Sequence, residues 1–160
     1  MSGEGKFIDK LMAGNVEVSG NVVAGGAVKS SAGLGVTLAA TRTVRADESG
    51  TTFFLAHATE FVTTLPAPAA GLKYRFVCKI APAGANYTIV TNATANIFIG
   101  HVLCVADGAG TSSATAGDTI SFVGSAAVVG DYVDVVSDGT SWYVSGMAAV
   151  ATGITLTAAS

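Results

Sequence analysis

The chain of 160 residues is long enough to bury one sizeable hydrophobic core. Half of its residues are hydrophobic and only 12% are charged, so we expect it to cover apolar surface by associating with copies of itself, and we predict a homotrimer. The net charge of −3 disfavours general binding to nucleic acid, and no apolar run approaches the ~18–20 residues that span a bilayer, so we expect neither nucleic acid nor a membrane as partner.

The charges are distributed unevenly along the chain. All eight basic residues precede Ile80, where six acidic residues leave a balance of +2, and the five acidic residues after Ile80 give −5. This asymmetry favours head-to-tail contact between copies, although charges that merely solvate exposed faces explain it equally well. The first 14 residues are charged where a signal peptide needs an apolar segment, so we expect synthesis in the cytosol.

Residues 1–42 are predicted to form an extended arm that precedes the globular part of the chain. Apolar residues recur at helical spacing near its start and predict a short helix over 4–13; these are Phe7, Ile8, Leu11 and Met12. A weak six-residue repeat then runs over 14–31. Such a period suggests β-helical or fibre-like winding, and an extended arm punctuated by glycine is the simpler interpretation.

The predicted arm cannot order itself. Fixing ~42 backbones at ~1–2 kcal/mol each costs about 60 kcal/mol. Burial alone would have to hide roughly 2,400 Å² of apolar surface to offset this. We therefore expect the arm to order only against neighbouring subunits or a larger shell, where it would act as a clamp.

From Thr43 onward, the pattern predicts an all-β domain over 43–160. Short alternating segments are separated by turn clusters and no helical period lies between them, which favours an antiparallel β-sandwich or jelly roll. The predicted strands are 43–46, 52–57, 60–65, 72–80, 87–92, 97–105, 118–123, 131–137, 141–145 and 154–157.

The strand predicted over 72–80 has the clearest alternation. Its core face carries Leu72, Tyr74, Phe76, Cys78 and Ile80. Its outer face concentrates three basic residues, Lys73, Arg75 and Lys79. A solvated strand face is the simpler interpretation of these residues, and a contact stripe for an acidic neighbour is the sharper one.

A hairpin over 131–146 is predicted to anchor the core. Asp138-Gly139 is a strong signal for a two-residue type I′ turn. That turn would pair Val135 with Trp142 and Val133 with Val144 on the buried face. Burying the single tryptophan hides ~150–250 Å², which makes Trp142 the best candidate for the centre of the core.

The sequence contains no recognisable catalytic or cofactor motif. His57 and His101 stand alone on predicted strands, without a partner at metal-ligand spacing. Cys78 and Cys104 fit buried thiols better than a disulfide scaffold. Four aspartates lie at strand ends, where Asp suits turns; these are Asp107, Asp118, Asp131 and Asp138. We expect a protein that is not an enzyme and holds no cofactor or metal ion.

Several motifs resemble those of small virion proteins of tailed bacteriophages. They are SGTTF (49–53), FVTTLPAPAAGLKYRF (61–76), NYTIVTN (86–92), GDTISFV (117–123) and VSDGTSWYVSG (136–146). The resemblance covers about residues 47–146 and leaves the arm uncovered. It implies a structural β-module and brings no catalytic residues with it.

Two locations in a phage particle fit this resemblance. The first is a head decoration (cement) protein that binds the major capsid protein on the outer surface of the capsid and stabilises the shell. The second is a tail-fibre or spike module that binds a host receptor or a glycan. We favour the first, and a glycan hydrolase comes third because no paired carboxylates stand out. The residues predicted to form the interface are Phe7, Ile8, Leu11, Met12, Val16, Val18, Val22, Lys73, Arg75 and Lys79.

Overall fold

The computed structural model describes residues 35–57, 59–105 and 111–158. The predicted helix over 4–13 and the first 34 residues of the predicted arm lie outside these ranges. The described residues form twelve strands and two short 3₁₀ turns, Ala46–Glu48 and Asn92–Thr94. The strands are β1 (Val36–Leu38), β2 (Arg42–Thr43), β3 (Thr52–Leu55), β4 (Phe61–Thr64), β5 (Lys73–Cys78), β6 (Tyr87–Val90), β7 (Phe98–Cys104), β8 (Thr111–Gly117), β9 (Thr119–Phe122), β10 (Tyr132–Ser137), β11 (Trp142–Ala148) and β12 (Ile154–Thr157).

The strands form two sheets that enclose one core, which confirms the predicted all-β sandwich. The seven-stranded sheet has the order β1-β3-β5-β10-β11-β7-β8, and the five-stranded sheet has the order β12-β9-β6-β4-β2. Most connections pass from one sheet to the other, so strands that are consecutive in the sequence lie in different sheets. Strands two apart in the sequence are then neighbours within a sheet and run in the same direction. The pairs β3–β5 and β4–β6 are therefore parallel, and both sheets are mixed rather than purely antiparallel.

The core is built from aromatic side chains that both sheets contribute. In the seven-stranded sheet Phe53 stacks on Phe76 with 5.3 Å between ring centroids. In the five-stranded sheet Phe61 and Tyr87 lie 4.7 Å apart. Trp142 is fully buried, and hiding a side chain of this size from water contributes roughly 4–6 kcal/mol before entropy is counted.

Two strands of the seven-stranded sheet were not predicted. β1 lies within the segment predicted as arm, and its Val36 and Leu38 pair with Phe53 and Leu55 of β3. β8 was missed because its sequence, TSSATAG, has no large apolar residue and little β-branched content. The hydroxyl of Ser112 in β8 accepts the backbone N–H of Leu156 at 2.8 Å, so a polar side chain helps to close the sandwich at this edge.

The predicted pairing of the β10–β11 hairpin is wrong by a shift of two residues. Val135 lies opposite Val144, and Trp142 lies opposite Ser137. The Asp138 carboxylate accepts the N–H groups of residues 140 and 141, both at 2.8 Å, and this closes a four-residue loop instead of the predicted two-residue turn. Because side chains alternate between the two faces of a strand, a shift of two residues keeps every side chain on its predicted face. The four proposed anchors Val133, Val135, Trp142 and Val144 are all buried.

The alternation predicted for β5 is observed over the length of the strand. Tyr74, Phe76 and Cys78 are buried, and Lys73 and Arg75 are exposed. The prediction was wrong at its last residue. β5 ends at Cys78, and Ile80 is 47% exposed in the loop beyond it.

Candidate functional site

The two ends of the sandwich differ in the chemistry of their loops. One end carries the loops 56–60, 79–86, 123–131 and 149–153, together with the end of β7, and we call it the apolar end. The opposite end carries the loops 44–51, 65–72, 91–97 and 138–141, and we call it the polar end. Loops usually expose polar residues, so an end that exposes aliphatic ones is a candidate interaction surface.

Among the described residues of the apolar end, four large aliphatic side chains are exposed. They are Ile80 (47% exposed), Val105 (64%), Val128 (42%) and Val129 (62%). Among the described residues of the polar-end loops, no large hydrophobic side chain is exposed to this degree.

A buried carboxylate holds the loops of the apolar end together. Asp131 is only 4% exposed, and its two oxygens accept the N–H groups of Val128 at 2.9 Å and Ala149 at 2.8 Å. Its backbone carbonyl also accepts the N–H of Cys78 at 2.8 Å. Asp131 thereby joins its own loop to the loop at 149–153 and to the end of β5, while the aliphatic side chains of this end stay outside.

Further bonds fix the neighbouring loops at the same end. The Tyr87 hydroxyl donates to the carbonyl of Ile80 at 2.9 Å and accepts the N–H of His57 at 3.1 Å. Ser125 adopts a left-handed φ of 64°, and its N–H and hydroxyl donate to the carbonyls of Pro82 and Ala83, both at 2.9 Å. These bonds hold the exposed side chains at defined positions, so little ordering entropy would be lost when a partner covers them.

The outward surface of the seven-stranded sheet, which we call the outer face, is a second candidate surface. Val136 of β10, Tyr143 of β11 and Ile99 of β7 lie side by side in one row across the strands. A second row, nearer the apolar end, contains Met147 and Leu103. All of these except Ile99 are at least 40% exposed, so the outer face is apolar on both sides of a polar middle row.

A cavity of about 360 Å³ opens on the outer face toward the polar end. Its walls are side chains of two neighbouring strands and the backbone of the preceding turn. It is lined by Gly50, Thr51, Lys73, Tyr74, Arg75, Asp134, Val135 and Val136. Tyr74 and Val135 direct their side chains into the core, so their backbones form the floor.

The three basic residues predicted as a contact stripe have different surroundings. Arg75 donates to both carboxylate oxygens of Asp134, at 2.7 and 2.6 Å, and its guanidinium lies 4.9 Å from the centroid of the Tyr132 ring. The carboxylate raises the pKa of Arg75 further, so this guanidinium stays charged. Lys79 donates to the hydroxyl of Thr37 at 3.4 Å, and Lys73 lines the cavity. The structure thus brings Lys73 and Arg75 to one cavity and leaves Lys79 at the far end of β5.

The predicted arm residues lie outside the described ranges. These are Phe7, Ile8, Leu11, Met12, Val16, Val18 and Val22. Asp107 lies outside them as well.

The histidines occupy separate places in the fold. His57 accepts the N–H of Thr59 at 2.9 Å through Nδ1, and His101 is exposed on β7. No group of three or more side chains that could ligate a metal lies together in the described ranges.

The two cysteines are free and differ in burial. Cys78 is fully buried, and desolvation raises the pKa of its thiol to about 11. Cys104 is half-buried, and its thiol lies 3.8 Å from the carbonyl of Ala149. The Cys78 thiol is therefore protonated at neutral pH and acts as a small core side chain.

Comparison of the chain with protein-family models, with curated proteins and with solved structures finds no match. The resemblance to phage virion proteins therefore stays a prediction. None of the helices in the described part of the chain has the length and apolar character needed to cross a bilayer.

Sequence reasoning missed the apolar end. One signal was present, because Val128-Val129-Gly130 places two adjacent β-branched residues in a segment predicted as a connection between strands. A pair of large aliphatics in a loop implies either burial or a contact surface, and only the fold distinguishes these two outcomes.

Proposed function

We propose that this chain is a non-enzymatic structural protein of a tailed-bacteriophage virion. In this proposal it is a head decoration protein that binds the outer surface formed by the major capsid protein and stabilises the shell. It is made in the host cytoplasm and ends up on the virion, and the predicted N-terminal arm straps neighbouring capsomers together.

The apolar end is the observation that carries this proposal. Asp131 and Tyr87 fix the loops that carry Val128, Val129 and Ile80, and the N–H of Val105 donates to the carbonyl of Ala148, so the surface is preformed. Covering these four side chains would contribute about 25 cal/mol for each Å² of apolar surface removed from water. Each single contact is then modest, and firm attachment to a shell follows from many copies together with the arm.

The outward face of the five-stranded sheet favours a second candidate, a tail-fibre or spike module that binds a glycan. Over β4, β6, β9 and β12 this face is uncharged, and six of the eight outward positions of these strands carry hydroxyls. The positions are Val62, Thr64, Thr88, Val90, Thr119, Ser121, Thr155 and Thr157. Hydroxyl groups donate and accept hydrogen bonds as sugars do, but the face has no exposed aromatic side chain on which a sugar ring would stack.

Binding to phage heads that lack this protein tests the decoration proposal. We expect the wild-type chain to co-sediment with such heads at hundreds of copies per particle, whereas a fibre module would be present at a few tens at most. Val129→Asp should abolish or strongly weaken binding, because it places a charge on the apolar end. Its matched control is Ala67→Asp, which adds the same charge to an exposed loop of the polar end and should leave binding unchanged.

Both variants should fold as the wild type does, since exposed substitutions usually change the free energy of unfolding by less than ~0.5 kcal/mol. Equal binding of Val129→Asp and Ala67→Asp would show that the apolar end is not the attachment surface. No binding of the wild-type chain to heads, or a copy number of a few tens, would overturn the decoration proposal itself.

A further inference from the structure

We propose that the outer face of the seven-stranded sheet binds a second copy of this chain about a two-fold axis, with Tyr143 of each copy seated in the cavity beside Val136 of the other. This dimer does not depend on the proposed role on the capsid, because the purified chain alone would form it.

Tyr143 has the features of an interface anchor. It is 48% exposed near the polar end of β11, an interior strand of the sheet, and its hydroxyl donates to Asp138 at 3.2 Å, which holds the ring in one position. Tyrosine is enriched among the residues that dominate binding energy, because it offers a large rigid area with few rotatable bonds.

The cavity provides a matching recess. Its volume of about 360 Å³ lies within the range of small-ligand pockets, so it admits one aromatic side chain. Val136 supplies an apolar wall and is 46% exposed. Lys73 also lines the recess, and its ammonium can donate to a phenol oxygen.

The position of the anchor beside the recess determines the symmetry. Tyr143 and Val136 are direct partners across β11 and β10, so both features belong to the same surface. Two copies that meet face to face can then fill both recesses at once, which is an isologous contact with two-fold symmetry. A closed trimer would need the anchor and the recess on different faces, so the predicted homotrimer could not form through this contact.

The size of the outer face suits such a contact. The five adjacent long strands are β5, β10, β11, β7 and β8. At a spacing of ~4.8 Å and a length of about 22 Å each, they present roughly 530 Å² per copy and about 1,060 Å² in the pair. This just clears the ~1,000 Å² expected of a specific interface and predicts a dimer of moderate affinity.

The charges in the middle of this face are already compensated. Arg75 and Asp134 form a two-point ion pair within one copy, so closure of the dimer leaves neither of them unpaired. Lys73 lines the recess, and the phenol oxygen of Tyr143 from the second copy gives its ammonium an acceptor there. Lys79 lies at the end of β5 and stays at the rim.

Sedimentation of the purified full-length chain tests the interface. We expect a monomer–dimer equilibrium in the micromolar range. Tyr143→Ala should weaken it at least ~700-fold, because the dimer loses two anchor contacts, each worth about 30-fold or ~2 kcal/mol. Lys73→Trp should do the same by filling the recess, whereas the matched control Lys73→Gln removes the charge without filling it and should still dimerise.

Mixing the two disruptive variants provides the decisive measurement. The Tyr143→Ala copy keeps an open recess and the Lys73→Trp copy keeps its anchor. The mixed dimer therefore retains one complete contact and has no clash, so it should form more tightly than either variant pairs with itself. A merely unfolded variant could not be rescued in this way. A monomeric wild-type chain, a wild-type trimer, or a mixture that dimerises no better than its components would overturn the proposal.

Discussion

At each end of the sandwich a carboxylate satisfies the backbone N–H groups of the loops, but the carboxylate is exposed at one end and buried at the other. At the polar end the loop at 138–141 is closed by an exposed carboxylate, Asp138, which accepts two backbone N–H groups. At the apolar end the loops around Val128 and Ala149 are closed by a buried carboxylate, Asp131, which also accepts two. Both devices satisfy the backbone, but only the second leaves aliphatic side chains as the outermost atoms.

This difference shows which features the fold requires. A sandwich with an entirely polar surface could be built with the loop chemistry of the polar end at both ends. The exposed Val128 and Val129 therefore contribute little to the stability of the isolated domain, and association with a partner gives a reason for their exposure. Substitutions can show which residues stabilise the loops of each end and which exposed residues contribute little to stability.

The largest expected effect lies in the core beneath the polar end. Trp142 is fully buried at the start of β11, with its ring 5.8 Å from that of Tyr74. Trp142→Ala should lower the free energy of unfolding by ~3–5 kcal/mol through lost transfer energy and the cavity that remains. Chemical denaturation measures this value. A variant that melts within two or three degrees of the wild type would contradict the central role of Trp142 in the core.

The next effect belongs to the apolar end. Asp131→Ala would orphan the part-buried N–H groups of Val128 and Ala149, and a donor orphaned in a fully buried site costs ~1–3 kcal/mol. We expect a loss of about 2–4 kcal/mol in denaturant unfolding, together with faster amide hydrogen exchange over 123–131.

The matched control for Asp131→Ala removes a carboxylate that is exposed. Asp134 pairs with Arg75 on the outer face, where both side chains are partly exposed. Exposed ion pairs contribute ~0–1 kcal/mol, so Asp134→Ala should cost far less than Asp131→Ala. Similar losses for the two variants would mean that Asp131 does not hold the loops of the apolar end.

The strands that could be predicted are those whose pattern reports burial directly. In β5, the buried Tyr74, Phe76 and Cys78 alternate with Lys73, Arg75 and Val77, and such a sequence has one favourable arrangement in a half-buried sheet. β8 could not be predicted in this way, because its small and polar residues satisfy the backbone without marking a core face. The order of strands was also beyond prediction, since it depends on connections that cross between the sheets.

The hairpin shows how a correct face can accompany a wrong register. Asp-Gly is a signal for a two-residue turn, but in this chain Thr140 and Ser141 follow and present N–H groups that the Asp138 carboxylate accepts. Local side-chain bonding therefore overrode the preference of the dipeptide. The candidate site escaped prediction for a related reason, because the exposure of Val128 and Val129 depends on Asp131, a residue that the sequence marks only as suited to turns.

The smallest expected effect is a pH dependence confined to the polar end. Hydrogen bonds from the N–H groups of Ser141 and Thr140, and from the Thr140 hydroxyl, lower the pKa of Asp138 to about 2. The unfolded chain has an ordinary Asp pKa of ~3.9, so the contribution of Asp138 to stability is complete above pH ~4 and is lost as the pH falls toward 2.

Urea midpoints measured from pH 7 to pH 2 test this dependence. The Asp138→Asn side chain can still accept hydrogen bonds but does not titrate, so the advantage of the wild type over this variant should be constant above pH ~4 and shrink below it. Thr140→Ala removes one of the three strongest donors and should give an intermediate pH dependence, because the two backbone bonds remain. An advantage that persists unchanged to pH 2 would contradict the lowered pKa, and with it the inference that an ionised, exposed carboxylate closes the loop at the polar end.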